Sequence, residues 1–218
     1  IFQPGFDSIL PKLIDAQNRL FRCADTNKKA EIKLEIESIR DIIIHTQLAG
    51  VADKDTLMKY EETKKMASKP FILWQLDFAK VFIDNGGFDI VIGNPPYIGF
   101  HNVPDKEYYK EKYIVANGKY DFYILFIEKG LNLLKQNGFE SFICPSYFYK
   151  RNYGKNVREL LLKNTDVRYI ADFKDYQIFD SALTYTCIFG IQKGPVINDE
   201  IKILGESLNE DGSYSVLQ

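Results

Sequence analysis

The run Phe88-Asp89-Ile90-Val91-Ile92-Gly93 ends abruptly in Asn94-Pro95-Pro96-Tyr97. Its six residues read as a strand, apolar enough to be buried on both faces. The two prolines forbid its continuation, because neither has an N–H to give to a ladder and each has a fixed φ. Helical spacing follows over residues 120–135, closed by Asn137-Gly138, and then a strand at 139–144. A helix at 156–163 leads to strands at 167–173 and 184–192 and a short last one at 201–204. Strand–helix alternation at this spacing predicts an α/β fold with a mostly parallel, doubly wound sheet.

Upstream the texture differs. Residues 9–20 and 28–44 repeat apolar residues at helical spacing, with Asp25 and Thr26 offering an N-cap and Gly50 a stop. A charged third helix covers 53–68 and ends at Pro70. Residues 71–76 read as a strand. The division expected from this is a helical arm or insertion over 1–69, a catalytic core over 70–205 and a tail over 206–218. The chain begins at Ile1 and its methionines are Met58 and Met66, so a piece of a longer protein is expected.

Net charge is −2, which argues against gripping nucleic acid through bulk charge alone. Local basic runs remain: Tyr108, Tyr109, Lys110, Lys112, Tyr113 and Lys119, then Lys150, Arg151, Lys155 and Arg158. Each is either a track for a phosphate backbone or a solvated loop. Three cysteines make no disulfide framework and two histidines, His45 and His101, no His-rich metal site. No apolar run approaches the length of a membrane span, and a reducing, cytoplasmic setting is expected. The 16 Phe and 14 Tyr call for either a ring-rich core or rings that stack on a flat ligand.

In open α/β sheets ligands bind beyond the carboxyl ends of the strands, which is where Asn94 falls. Its side-chain oxygen accepts hydrogen bonds. Pro96 confines Pro95 to extended conformations, so the Pro95 carbonyl can be held rigidly beside that oxygen. Two acceptors and the flat ring of Tyr97 suit a planar group bearing an NH₂. Accepting from both its hydrogens favours a more tetrahedral nitrogen, whose lone pair is then free to attack.

Asn-Pro-Pro-Tyr after an apolar strand resembles the catalytic motif of gamma-type amino DNA methyltransferases, which use S-adenosylmethionine. The order of segments is most similar to the methyltransferase region of type IIG restriction–modification enzymes. Leu76-Asp77-Phe78 resembles the segment holding the cofactor's adenine. Residues 118–123, with Phe126, Glu128 and Lys129, resemble the helix after the catalytic loop, and Gln177-Ile178-Phe179 a late loop with a second aromatic. The resemblance implies that Asn94 and the Pro95 carbonyl hold the target amine, while Tyr97 stacks on a base flipped out of double-stranded DNA and Phe179 faces its other side. It further implies that Asp77, Phe78, Pro96 and Phe126 contact S-adenosylmethionine, in a prokaryotic cytoplasmic enzyme that needs no metal.

The family's glycine-rich turn does not precede Asp77, and Gly86-Gly87 comes too late in the order. An N-terminal cofactor-binding half, a target-recognition domain and a nuclease domain are expected from the rest of the parent chain. Adenine-N6 methylation is the leading expectation, since Tyr97 leans that way. Cytosine-N4 methylation, methylation of a protein glutamine amide, and a non-catalytic DNA-binding module that kept the fold are the alternatives.

Overall fold

The computed structural model describes residues 8–49, 54–66, 71–174, 176, 178–179, 185–197, 201–208 and 214–217. The chain divides into two compact units, residues 1–84 and 85–218.

The first unit is helical. Helix α1 (Leu10–Arg22) starts on Pro11, whose missing N–H costs nothing in a first turn. Helix α2 (Thr26–Ala49) is capped by Asp25, whose Oδ1 accepts the backbone N–H groups of Asn27 and Lys28 at 2.8 and 3.1 Å. Leu13 and Ala16 of α1 meet Ile36 and Ile43 of α2 in a core completed by Leu76 and Ala79. Helix α3 (Lys54–Lys64) buries none of its residues. Tyr60 and Lys64 instead bind Asp41 of α2 at 2.9 and 2.7 Å. Two short helices follow, α4 (Trp74–Asp77) and α5 (Ala79–Asn85). The expected stops at Gly50 and Pro70, and the start at Asp53, lie outside the described residues.

Residues 71–76 do not form the expected strand. Residues 71–73 are irregular, and the chain then coils into α4. A short, largely apolar run does not distinguish strand from buried helix, so tertiary partners decide. Here Gln17 of α1 donates to the carbonyls of Leu76 and Asp77 at 2.7 and 3.1 Å, and the Asp77 carboxylate accepts the Leu73 N–H at 2.8 Å. Such side-chain partners satisfy backbone groups that a sheet would otherwise have to take.

The second unit is α/β. Strand β1 (Phe88–Gly93) leads through helices α6 (Lys106–Lys112) and α7 (Phe122–Leu133) to strand β2 (Leu134–Pro145). Helices α8 (Tyr147–Lys150) and α9 (Lys155–Asn164) come next. Strands β3 (Thr165–Asp172), β4 (Thr186–Lys193), β5 (Lys202–Leu208) and β6 (Tyr214–Leu217) complete a sheet ordered β1-β2-β4-β3-β5-β6. β1, β2, β3 and β5 share one direction, in keeping with a mostly parallel sheet, whereas β4 and β6 are reversed. β4 lies between β2 and β3 and is antiparallel to both.

β1 is the end strand of this sheet, and it is not buried on both faces as its composition suggested. Ile90 and Ile92 are 62% and 75% exposed, while Val91 packs on the core. Asn137 and Gly138 do not end α7 but belong to β2. Asn137 adopts φ +63°, and pairing jumps from Phe88↔Leu134 to Ile90↔Phe139, so residues 135–138 bulge from the ladder. Among the described residues no helix is long and apolar enough to cross a membrane.

The core of this unit is ring-rich. Phe189 takes Phe142 and Phe148 edge-on at 5.9 and 5.4 Å, under Tyr123, Ile124 and Ile127 of α7 and Val157 and Leu161 of α9. Glu140 of β2 is also fully buried there, and neither carboxylate oxygen finds a partner among the described residues. Its carboxyl lies against Gly130 of α7, where an added Cβ would come within 2.8 Å of it and make the carboxyl shift. Burial pushes the Glu140 carboxyl well above the usual carboxylate range.

A raised folded-state pKa gives stability that is fully present below the unfolded value and is lost as pH rises toward the folded one. Glu140→Met keeps the shape and removes the cost of charging. Its denaturation midpoint is expected above wild type at pH about 8, with the gain shrinking toward pH about 4 as the unfolded carboxyl takes its proton. A gain that does not change with pH would rule the shift out.

Candidate functional site

β1, β2 and β3 run in one direction, so Gly93, Pro145 and Asp172 end at the same edge of the sheet. The last rung of β1, Gly93↔Phe142, delivers Asn94 to that edge, the one where open α/β sheets take ligands. Asn94 is exposed, Pro95 buried, Pro96 exposed and Tyr97 half-buried. The Pro96 carbonyl accepts the Ile98 N–H at 3.0 Å, closing a three-residue turn on Tyr97. The Tyr97 hydroxyl donates to the Ile143 carbonyl of β2 at 3.3 Å. Burial, with smaller contributions from the Cys144 and Cys187 thiols, pushes its pKa up to about 12, so the ring stays neutral.

Two further bonds hold the chain beyond Tyr97. The Ile98 carbonyl accepts the Phe122 N–H at 2.8 Å, and the Phe100 N–H donates to Asp121 Oδ1 at 3.1 Å. Asp121 Oδ2 in turn accepts the Tyr153 hydroxyl at 2.7 Å. One helical face further along, Glu128 accepts the N–H groups of Ile114 and Val115 at 3.1 and 2.9 Å. Asp121 and Tyr153 carried no functional signal in the sequence. The expected helix over 120–135 placed Asp121 inside its first turn, and only the fold reveals that it precedes α7 and what it binds.

Phe179 lies beside Tyr97, with ring centroids 6.2 Å apart and planes at 69°. This is an edge-to-face contact between two half-buried rings, without a parallel-walled slot between them. Gln177, its expected companion, lies outside the described residues. Phe126 is 38% exposed on α7, edge-on to Phe122 at 5.4 Å.

Asp77 and Phe78 belong to the first unit. Asp77 pairs with Arg40 at 3.1 Å through one oxygen and with the Leu73 N–H through the other, which folds residues 71–77 onto α2. Each oxygen keeps a second lone pair for another donor. Phe78 is partly exposed and stacks on Trp74, centroids 5.8 Å apart and planes at 19°.

The basic runs separate into different uses. Arg158 donates to the carbonyls of Phe148 and Arg151, both at 2.8 Å, and so closes the turn between α8 and α9. Lys150 pairs with Asp172 at 2.7 Å, and Lys155 with Glu159 at 3.6 Å. Arg151 is exposed, with its guanidinium 5.1 Å from the centre of the Tyr147 ring. Lys106 donates to the His101 carbonyl and covers the Phe100 ring at 5.2 Å.

The model of the Eco57I restriction-modification methylase family matches residues 13–179. The type II restriction enzyme and methyltransferase RM.Eco57I of Escherichia coli is 34% identical over 116 residues, 51% of this chain and 12% of that protein. The type II methyltransferase M.BstVI of Geobacillus stearothermophilus is 34% identical over 125 residues, 56% of this chain and 22% of its own length. M.AccI of Acinetobacter calcoaceticus, also a type II methyltransferase, is 38% identical over 107 residues, 46% of this chain and 20% of that one. The chain thus spans less than a quarter of each of these relatives.

The edge contact between Phe179 and Tyr97 sets a limit on what Phe179 gives to folding. Phe179→Ala is expected to lower stability by about 1 kcal/mol, the worth of one edge-to-face aromatic pair. A fully buried ring would cost about 3–5 kcal/mol. Chemical denaturation measures the difference, and a loss in the larger range would make Phe179 a core residue.

Proposed function

The chain belongs to the Eco57I restriction-modification methylase family, and from that premise we propose that it forms the target-amine side of an S-adenosylmethionine-dependent DNA methyltransferase acting on adenine N6. The observation that carries the proposal is Asn94-Pro95-Pro96-Tyr97 at the carboxyl end of β1. An exposed amide oxygen stands there beside a proline-stiffened backbone and an anchored, neutral ring.

In this reading Asn94 and the Pro95 carbonyl accept the two hydrogens of the exocyclic amine. That holds the nitrogen in place and directs its lone pair at the methyl donor. Orientation of this kind supplies several kcal/mol of the barrier. Tyr97 stacks on the flipped base, with Phe179 as the second ring once the pair opens from its edge-on contact. Flipping costs a few kcal/mol and stacking returns about 1–3 kcal/mol per contact, so two rings offset it. Bound S-adenosylmethionine supplies an electrophilic methyl group. The exposed surfaces of Pro96 and Phe126 suit its apolar parts. The partner is double-stranded DNA, and the rest of the parent chain supplies sequence recognition. A cytoplasmic site of action goes with that substrate.

Asn94→Ala in the full-length parent is expected to reduce methyl transfer to DNA by about a hundredfold or more. Cofactor affinity should stay within about twofold, because the lost acceptor faces the amine. Tritiated methyl incorporation and calorimetry measure the two, and retention of more than about a tenth of wild-type transfer would overturn the clamp. Nucleoside analysis of the wild-type product decides the base: N4-methylcytosine in place of N6-methyladenine would overturn the adenine assignment alone.

A further inference from the structure

An aspartate immediately before a helix normally turns its carboxylate onto the helix's own first N–H groups. Asp121 precedes α7 in extended conformation, φ −88° and ψ 153°, yet makes no side-chain cap bond. Its two oxygens go elsewhere, one to the Phe100 N–H at 3.1 Å and the other to the Tyr153 hydroxyl at 2.7 Å. Forgoing the cap costs about 1 kcal/mol of helix stability, so the fold gives up local stability to hold the loop at Phe100.

That loop is the exit of Asn94–Tyr97. The entrance is fixed by the β1–β2 ladder at Gly93 and the middle by Tyr97 on Ile143. The exit is fixed by the Ile98 carbonyl on Phe122 and by Phe100 on Asp121. Tyr153, from the turn before α9, donates to the far oxygen of Asp121. It sets the direction of the carboxylate and so the position of Phe100. Phe100 also packs edge-on against the buried Tyr120 ring at 5.7 Å, which carries the same restraint into the core.

We infer that Asp121 and Tyr153 are positioning residues for methyl transfer: they form a strut that holds the exit of the Asn94–Tyr97 loop so that the Asn94 oxygen and Pro95 carbonyl stay aimed at the amine. This rests on the reading of that loop as the amine clamp. A shift of about 1 Å in a catalytic group is enough to slow a reaction by about a hundredfold. Neither residue touches the reacting atoms, so the effect falls on the transfer step and leaves cofactor binding alone.

The test uses the full-length parent with Asp121→Ala, Asp121→Asn and Tyr153→Phe. Asp121→Ala is expected to speed amide hydrogen exchange over residues 98–102 and to slow single-turnover methyl transfer by about tenfold or more, with cofactor affinity within about twofold. Asp121→Asn keeps an acceptor for the Phe100 N–H and a donor toward Tyr153, so it should recover transfer to within about threefold of wild type. Tyr153→Phe, which removes one hydroxyl, falls between. Unchanged exchange and unchanged transfer in Asp121→Ala would overturn the strut. So would transfer falling only in step with thermal stability and cofactor affinity, since that marks a general structural role. If Asp121→Ala does not fold, Tyr153→Phe decides by the same two readings. If the wild-type parent moves no methyl group to DNA, the clamp reading fails, while the exchange comparison still decides whether the strut holds the loop.

Discussion

Between the end of β1 and the start of α7 the chain runs 28 residues with only α6 as a regular helix, and two carboxylates hold this stretch in place. Asp121 fastens its beginning at Phe100, and Glu128, two helical turns along, fastens its later part at Ile114 and Val115. Both bind backbone N–H groups, which otherwise need water or a ladder. A long connection can thus lie against α7 without strand pairing and still present Asn94–Tyr97 in one conformation. Both acceptors are charge-assisted, about twice as strong as neutral hydrogen bonds, so a few contacts suffice.

The platform beneath is stiff for a different reason. Aromatic rings interlock edge-to-face across the sheet and α8, and such cores pack at crystal-like density. This core takes up part of the Phe and Tyr content of the chain: Tyr120, Tyr123, Phe142, Phe148 and Phe189 are all buried. Tyr97 and Phe179 are among the rings left half-buried. Glu140 stands out inside this core, a carboxyl set against Gly130 whose pKa burial pushes well above the usual carboxylate range.

Much of the second unit was legible in the sequence. Strands at 88–93, 139–144, 167–173 and 184–192 and the helices between them match the observed elements to within a few residues. The Asn94–Tyr97 turn was equally legible, since proline acts through its own covalent geometry. The run at 71–76 was not, because a short, largely apolar run fits a strand or a buried helix, and Gln17, distant in sequence, settles the matter.

By itself the sequence determined what local chemistry controls: where β1 stops, which residues stand at its end, and the α/β class. The tertiary structure alone decided what depends on residues far apart in the chain. It reversed β4 into the middle of the sheet, left Ile90 and Ile92 exposed on an end strand, brought Phe179 to Tyr97, and set the Asp121 carboxylate on the Phe100 N–H. The physical reason is the reach of each interaction. Periodicity and proline act over a few residues, whereas strand order, burial and side-chain partners are set by which surfaces meet once the chain has closed on itself.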